Sequence, residues 1–212
     1  VYLAVADGNG AVDSATSSVI ISDTLPPEIT LPTDTTIECD VSTDPSNTGF
    51  ATASDNCDPE PSIVYSDAEA PGSCPQEKTI IRTWTATDDC GNSNSYDQTI
   101  NVVDTTPPVI SCNGQSSITP PDAPISFTST ATDNCDNAPD VAITAYDCYM
   151  LTKKGKEIDK TESCVVEVAG NRITILDSGG VGDHITWTVE ATDSCGNIST
   201  QQCEVLVVNP AQ

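Results

Sequence analysis

The feature that most constrains this chain is that it repeats itself. Residues 2–29, YLAVADGNGAVDSATSSVIISDTLPPEI, lie without a gap on residues 83–110, TWTATDDCGNSNSYDQTINVVDTTPPVI. Leu3 falls on Trp84, Asp7 on Asp88, Gly10 on Gly91, Asp23-Thr24 on Asp104-Thr105, and Pro26-Pro27 on Pro107-Pro108. A third copy spans 185–209, where Asp193, Cys195, Gly196 and Asn197 match Asp88, Cys90, Gly91 and Asn92. An earlier block is shared too: ATASDNCDPEP (51–61) matches STATDNCDNAP (129–139). Self-similarity at a regular period marks a repeat architecture. The chain therefore divides into the closing hairpin of an incomplete repeat (1–23), a complete repeat (24–105), and a longer repeat (106–212) with an inserted hairpin at about 145–172.

Each repeat reads as all-β. Leu3 and Val5, Trp84 and Ala86, and Ile185, Trp187, Val189 and Ala191 fall on one face of a strand. Thr83, Thr85, Thr87, Thr186, Thr188 and Thr192 fall on the other. Period-two alternation rich in Thr and Val is a strand with one buried face. The last strand repeats the pattern, with Val19 and Ile21, Ile100 and Val102, and Val205 and Val207 inward. Between these strands Asp-x-Cys-Gly-Asn makes a hairpin turn, Gly taking the positive-φ position. Short strands, frequent turns and no helical period predict tandem immunoglobulin-like β-sandwiches. The Asp-Thr-x-Pro-Pro joints suit linkers, since proline does not enter a central ladder.

Charge and cysteine narrow the function classes. Of 212 residues, 32 are Asp or Glu against 7 Lys or Arg, a net charge of -25. Phosphates and anionic membrane faces repel such a surface, so neither nucleic acid nor membrane insertion is expected. Ten cysteines are spread along the chain with no C-x-x-C spacing, which removes zinc ribbons and thioredoxin-like motifs. An even, dispersed set fits disulfides in an oxidising compartment, hence a secreted or cell-surface location. No run reaches the roughly 20 apolar residues of a membrane span. The chain opens on Val1-Tyr2-Leu3 without a signal peptide, which reads as a mature product or an excerpt.

Repeats that end V-V-D-T-T-P-P and carry A-T-D-N-C and W-T-A-T-D-x-C-G-N resemble the hyalin-repeat (HYR and HYR-like) immunoglobulin-fold modules of large bacterial surface proteins and adhesins. The likeness covers nearly the whole chain and is closest over 24–105. It departs at Asn9 and Val12, where a cysteine or polar turn residue is expected, and in the insertion. It implies a structural, non-enzymatic repeat segment: a stalk, filament or adhesin. The alternative is a carbohydrate- or ligand-binding accessory module of a larger secreted protein.

Sequence alone does not fix disulfide connectivity. In an immunoglobulin-like sandwich the loops after the second and sixth strands share one end, which predicts Cys57–Cys90 and Cys135–Cys195. Cys39 and Cys74 remain to pair with each other. Cys112 lies in phase with Ile110 and Cys203 with Val205 on neighbouring edges, predicting Cys112–Cys203, and Cys148–Cys164 closes the insertion. Pairing between chains is the other possibility.

Acidic turns suggest a metal. The same topology brings Asp55, Asp58, Asp88 and Asp89 together, with the linker residue Asp23 approaching. The next joint offers Asp104, Asp133, Asp136 and Asp193. Calcium takes six to eight oxygens, several from carboxylates, and crowded carboxylates repel one another without a cation. Asp and Asn also favour turns on their own account, and both readings stand at this level. An EF-hand loop at Asp7-x-Asn9 fails at Ala11.

Other candidates are weaker. His184, the sole histidine, precedes a strand with no nucleophile pattern nearby. Trp84 and Trp187 could stack on sugars, but their phase places them in the core. Five of the seven basic residues sit in the insertion: Lys153, Lys154, Lys156, Lys160 and Arg172. They form either a solvated turn around Gly155 or a surface that docks on an acidic face of another copy. Expected partners are thus other copies of the chain or neighbouring repeats, with surface glycans as a further class. The closing hairpin 1–23 is marginal alone, so either more chain or strands from another chain would complete it.

Overall fold

The structure is a computed structural model and describes residues 2–6, 8–9, 12–16, 21–119 and 124–209; for 2–6 and 12–16 only the backbone is described. The chain is disulfide-stapled and nearly all β, in the tandem immunoglobulin-like sandwich class. The first strands are β1 (Tyr2–Ala6) and β2 (Val12–Thr16), an antiparallel hairpin with Tyr2 opposite Thr16. The inward phase expected for Leu3, Val5 and Val19 lies outside the described side chains.

The next strands are β3 (Glu28–Thr30), β4 (Thr35–Glu38), β5 (Thr52–Ser54), β6 (Ser62–Pro71), β7 (Lys78–Thr87) and β8 (Ser93–Val103), with a one-turn helix α1 (Pro45–Thr48). β3 pairs antiparallel with β5, and the second sheet runs β4-β8-β7-β6. β4 joins that sheet parallel to β8, with Thr35 opposite Ile100. The opening segment therefore changes sheets at the Pro-containing break between β3 and β4, where proline cannot supply a ladder N–H.

The second series repeats this plan. It comprises β9 (Val109–Asn113), β10 (Ser117–Ile118), β11 (Ile125–Thr132), β12 (Asp140–Leu151), β13 (Glu157–Asp159), β14 (Val165–Ala169), β15 (Arg172–Asp177), β16 (Asp183–Thr192) and β17 (Ile198–Val207). The sheets run β14-β15-β11-β9 and β10-β17-β16-β12-β13, with β10 again parallel to the last strand. Residues 145–172 are divided between the sheets. β12 continues to Leu151 with a bulge between Ile143 and Ala145, β13 folds back on it, and β14 enters the other sheet.

By compactness the chain forms two units, and the division runs along β6, β7 and β8. One comprises Val1–Asp34, Thr48–Ala68 and Ile81–Thr99; the other Thr35–Asn47, Glu69–Ile80 and Ile100–Gln212. The first unit has a polar core. Arg82, 1% exposed, shares the inward face of β7 with Trp84 and Ala86. Its guanidinium holds Asp67 by two 2.8 Å bonds, donates to Thr48 Oγ1 at 2.9 Å and lies 4.4 Å from the Tyr65 ring centre. Trp84 Nε1 donates to Gln98 Oε1 at 3.1 Å, and Gln98 Nε2 to the Thr48 carbonyl at 2.7 Å. Every buried donor among these finds an acceptor, as burial requires. Ile21, expected inward, is 90% exposed; it lies beyond β2, so strand alternation does not govern it.

The second unit is more conventional. Ile110, Phe127, Ile173 and Ile175 of one sheet meet Ile118, Ile185, Trp187, Val189, Val205 and Val207 of the other. Phe127 stacks on Trp187 at 5.5 Å between centroids. Thr186, expected on the outer face, is buried opposite Asp147 of β12, its hydroxyl donating to the Asp147 carbonyl at 3.5 Å. A smaller cluster of Ile80, Ile100 and Val102 packs with Ile37 and Cys39.

Candidate metal centres and cysteine staples

Two three-carboxylate clusters are built in the same way from equivalent positions. In the first unit, Asp23, Asp55 and Asp88 bring oxygens within 4.8 Å of one another; in the second, Asp104, Asp133 and Asp193 do so. The turn residues are held by backbone donors. Asp55 Oδ1 accepts from the N–H of Cys57 and Asp58 at 2.9 and 3.0 Å; Asp133 Oδ1 accepts from Cys135 and Asp136, both at 2.8 Å. Asp88 Oδ1 accepts from Cys90 and Asn92 at 2.9 and 2.8 Å; Asp193 Oδ1 accepts from Cys195 and Asn197 at the same distances. Gly91 (φ 88°) and Gly196 (φ 90°) close these turns. The linker is then tied in: the Asn92 side-chain amide donates to the Asp23 carbonyl at 3.2 Å, and that of Asn197 to the Asp104 carbonyl at 3.0 Å.

These bonds occupy Oδ1 of each turn carboxylate, and Oδ2 of Asp88 and of Asp193 also accepts, at 2.8 Å, from the side-chain amides of Asn92 and Asn197. Asp104 Oδ2 and Asp133 Oδ2 are buried with no hydrogen-bond partner. Burial pushes the Asp104 carboxyl above its ordinary range, and the charges of Asp193 and Asp133 push it further. Asp55, by contrast, is held low by the N–H groups of Asp58 and Cys57. Hard oxygens, net negative charge and orphaned lone pairs fit a calcium-type ion. Asp23, Asp55 and Asp88 would hold one such ion, and Asp104, Asp133 and Asp193 another.

The other acidic candidates do a different job. Asp58 Oδ1 accepts from Glu60 N–H at 2.9 Å and its Oδ2 from Asp89 N–H at 3.0 Å, so it fastens one turn to the other. Asp136 repeats this with Ala138 at 2.9 Å and Ser194 at 2.8 Å, which lowers its pKa. Asp89 enters through its backbone. Asp23, Cys57, Asp58, Asp88, Asp89 and Cys90 line a small cavity of about 60 Å³.

The disulfides correct part of the sequence reading. Cys112–Cys203 and Cys148–Cys164 are present, the first joining β9 to β17 and the second tying β12 to the segment before β14. Cys39 bonds Cys135 and Cys74 bonds Cys195, with Cα atoms 5.9 and 5.1 Å apart. The expected Cys39–Cys74, Cys135–Cys195 and Cys57–Cys90 bonds are not formed, and Cys57 and Cys90 are exposed thiols. The two turns of each repeat do meet, through Asp58 and Asp136, but their cysteines do not pair with each other. Instead Cys39 leaves β4 beside Val103, its N–H bonded to the Val103 carbonyl at 2.9 Å, and Cys74 tips the β6–β7 hairpin. Gln76 in that hairpin accepts from Ser194 Oγ at 2.8 Å. Desolvation, then the Asp23 charge, raises the Cys57 thiol.

The remaining candidates are structural. His184 lies inside β16 rather than ahead of it, stacks on Tyr149 and bonds Glu204 through Nδ1. Trp84 and Trp187 are both 3% exposed. Lys153, Lys154 and Lys156 are exposed around Gly155 (φ 74°), and Lys160 is half-buried with its N–H on the Cys148 carbonyl at 2.7 Å. Among the described residues no helix is long and apolar enough to cross a membrane.

No family model matches the chain. It is 40% identical over 111 residues to hyalin of Lytechinus variegatus, covering 49% of this chain and 20% of hyalin. The chain thus spans about a fifth of that relative, and nothing in the likeness points to a bacterial source. Among solved structures it is similar to mouse cadherin-23 EC22-24 (17% identity, 87% of this chain and 65% of that one, TM-score 0.33). It is also similar to protocadherin gammaB7 EC3-6 (16%, 95% and 55%, 0.36) and to tandem Ig repeats of Dlar (16%, 86% and 97%, 0.28). Overlaps this loose bear on neither ligand nor partner. What the structure itself defines is a disulfide-rich, repeat-built β module of the extracellular type.

Proposed function

We propose that the chain is a structural, adhesion-type segment of a secreted or cell-surface protein, built of hyalin-like repeats and stiffened by calcium. The observation that carries this is the duplicated carboxylate cluster. A linker aspartate and two turn aspartates converge twice, and in one copy two buried oxygens lack partners. A cation there would tie each linker to the two turns of the repeat that follows it, which is a mechanical role with no reacting group. Its partners would be neighbouring repeats and other copies of the chain, with the lysines of the β12–β13 turn as one contact.

Calorimetric titration with calcium, followed by thermal unfolding with and without chelator, tests the reading. Two binding events are expected, and calcium at about a hundredfold its Kd would add about 2.7 kcal/mol to the loaded unit. No binding heat and no shift in unfolding temperature would remove calcium from the function.

A further inference from the structure

Cys57 and Cys90 differ from the other eight cysteines: both are unbonded and exposed, and both line the cavity that holds Asp23 and Asp88. In repeat register their counterparts are Cys135 and Cys195. Those are bonded, and to residues of the preceding sequence repeat, Cys39 and Cys74, at separations of 96 and 121. The presenting turns are built alike, from the Asp55 and Asp133 caps to the Asp58 and Asp136 cross-links. Backbone that offers Cys135 and Cys195 to a partner therefore offers Cys57 and Cys90 in the same manner.

We propose that Cys57 and Cys90 are a two-point covalent docking site for another repeat of the 24–105 kind. The cysteines at that repeat's Cys39 and Cys74 positions bond Cys57 and Cys90 respectively. Each bond forms as two thiols give up two protons and two electrons to a disulfide oxidant, such as oxidised glutathione or a disulfide-donating oxidoreductase, which leaves as two thiols. A second copy of this chain is not the occupant, because its own Cys39 and Cys74 are already bonded. The resulting ladder has a direction. A 24–105 repeat receives at its acidic turns and gives through Cys39 and Cys74. The 106–212 repeat only receives, since Cys112, Cys148, Cys164 and Cys203 are bonded among themselves.

The proposal rests on the repeat-array reading but not on calcium, and thiol counts are indifferent to chelators, so the two can fail separately. The first test is a count on the whole chain, oxidised in a glutathione buffer and then denatured in the presence of a thiol reagent. Two reactive thiols are expected, at Cys57 and Cys90 by peptide mapping; a Cys57–Cys90 peptide and no free thiol overturns the proposal. The second test joins residues 1–104 directly to 24–212, adding one repeat in register. Peptides linking Cys39 to Cys57 and Cys74 to Cys90 are expected in the monomer, with two thiols still free. The same peptides found only in covalent dimers would keep the site and assign it to a second chain. Six free thiols, or Cys57–Cys90 within one repeat, would overturn it.

Discussion

Replacing Asp104 with Asn should change the sign of its effect with calcium. Asp104 is 3% exposed, and its carboxylate lies within 4.8 Å of oxygens from Asp133 and Asp193. At an effective dielectric of about 20, two unit charges at that distance repel by roughly 3.5 kcal/mol. Asp104 takes part in two such pairs, so its charge costs several kcal/mol without a cation. The carboxyl relieves much of this by binding a proton, in line with its raised pKa, and screening removes more. A net gain of about 1–3 kcal/mol is expected for Asp104→Asn in chelator. The amide retains an oxygen for Asn197 and adds a donor where Asp104 Oδ2 has no partner. With calcium the variant should lose the stabilisation that wild type gains, because one carboxylate ligand is gone. The assay is thermal unfolding followed by Trp187 emission in a Trp84→Phe background, which reports the unit that contains the cluster. Equal destabilisation in chelator and in calcium would refute the argument and reduce the cluster to turn capping.

Acid should act on the metal-free chain in two stages. Asp104 has a raised folded pKa, so the folded state holds the extra proton and stability rises as pH falls from that pKa toward 3.8. Asp55 and Asp136 are depressed, so their contribution is present above 3.8 and is lost as pH falls below it; denaturant titrations across this range, compared with Asp104→Asn, should show the first stage vanish in the variant. Arg82→Met should cost the first unit about 2–4 kcal/mol by stranding Asp67 beside Tyr65. Adding Asp67→Leu should recover most of that cost, and Trp84 emission during urea unfolding in a Trp187→Phe background reads both. Alkylation at neutral pH should be slow at Cys57, whose raised pKa keeps it a thiol, and should quicken with pH; mass spectrometry of the labelled peptides gives the rate.

Much of the fold was legible because its cues are local. The alternation in β7 and β16 put Trp84, Trp187 and Val189 inward, and Asp-x-Cys-Gly-Asn announced the turns at Gly91 and Gly196. The linker aspartates Asp23 and Asp104 were also legible, since the Pro-Pro joint fixes their register to the turns. Disulfide partners were not, because they depend on how a strand end and a hairpin tip reach across repeats. One signal was available: Cys57 and Cys90 have counterparts in the longer repeat, whereas Cys39 and Cys74 have none and so need not pair with each other. Arg82 shares the phase of Ile80, Trp84 and Ala86, but its partner Asp67 lies on another strand, so no local pattern announces a buried charge pair. Asp58 and Asp136 could not be separated from the metal candidates, because a cross-link from side chain to backbone leaves no mark in composition.

The staples Cys39–Cys135 and Cys112–Cys203 also set how the chain answers a pull. Tension entering ahead of Cys39 and leaving after Cys203 need not travel the 96 positions between Cys39 and Cys135. It crosses the first bond, runs back from Cys135 to Cys112, and crosses the second. Even with every sheet torn open, the chain lengthens only by that short covalent route while the rest hangs slack. A module of this kind yields under load by a small, bounded amount and keeps the means to refold when the load is removed.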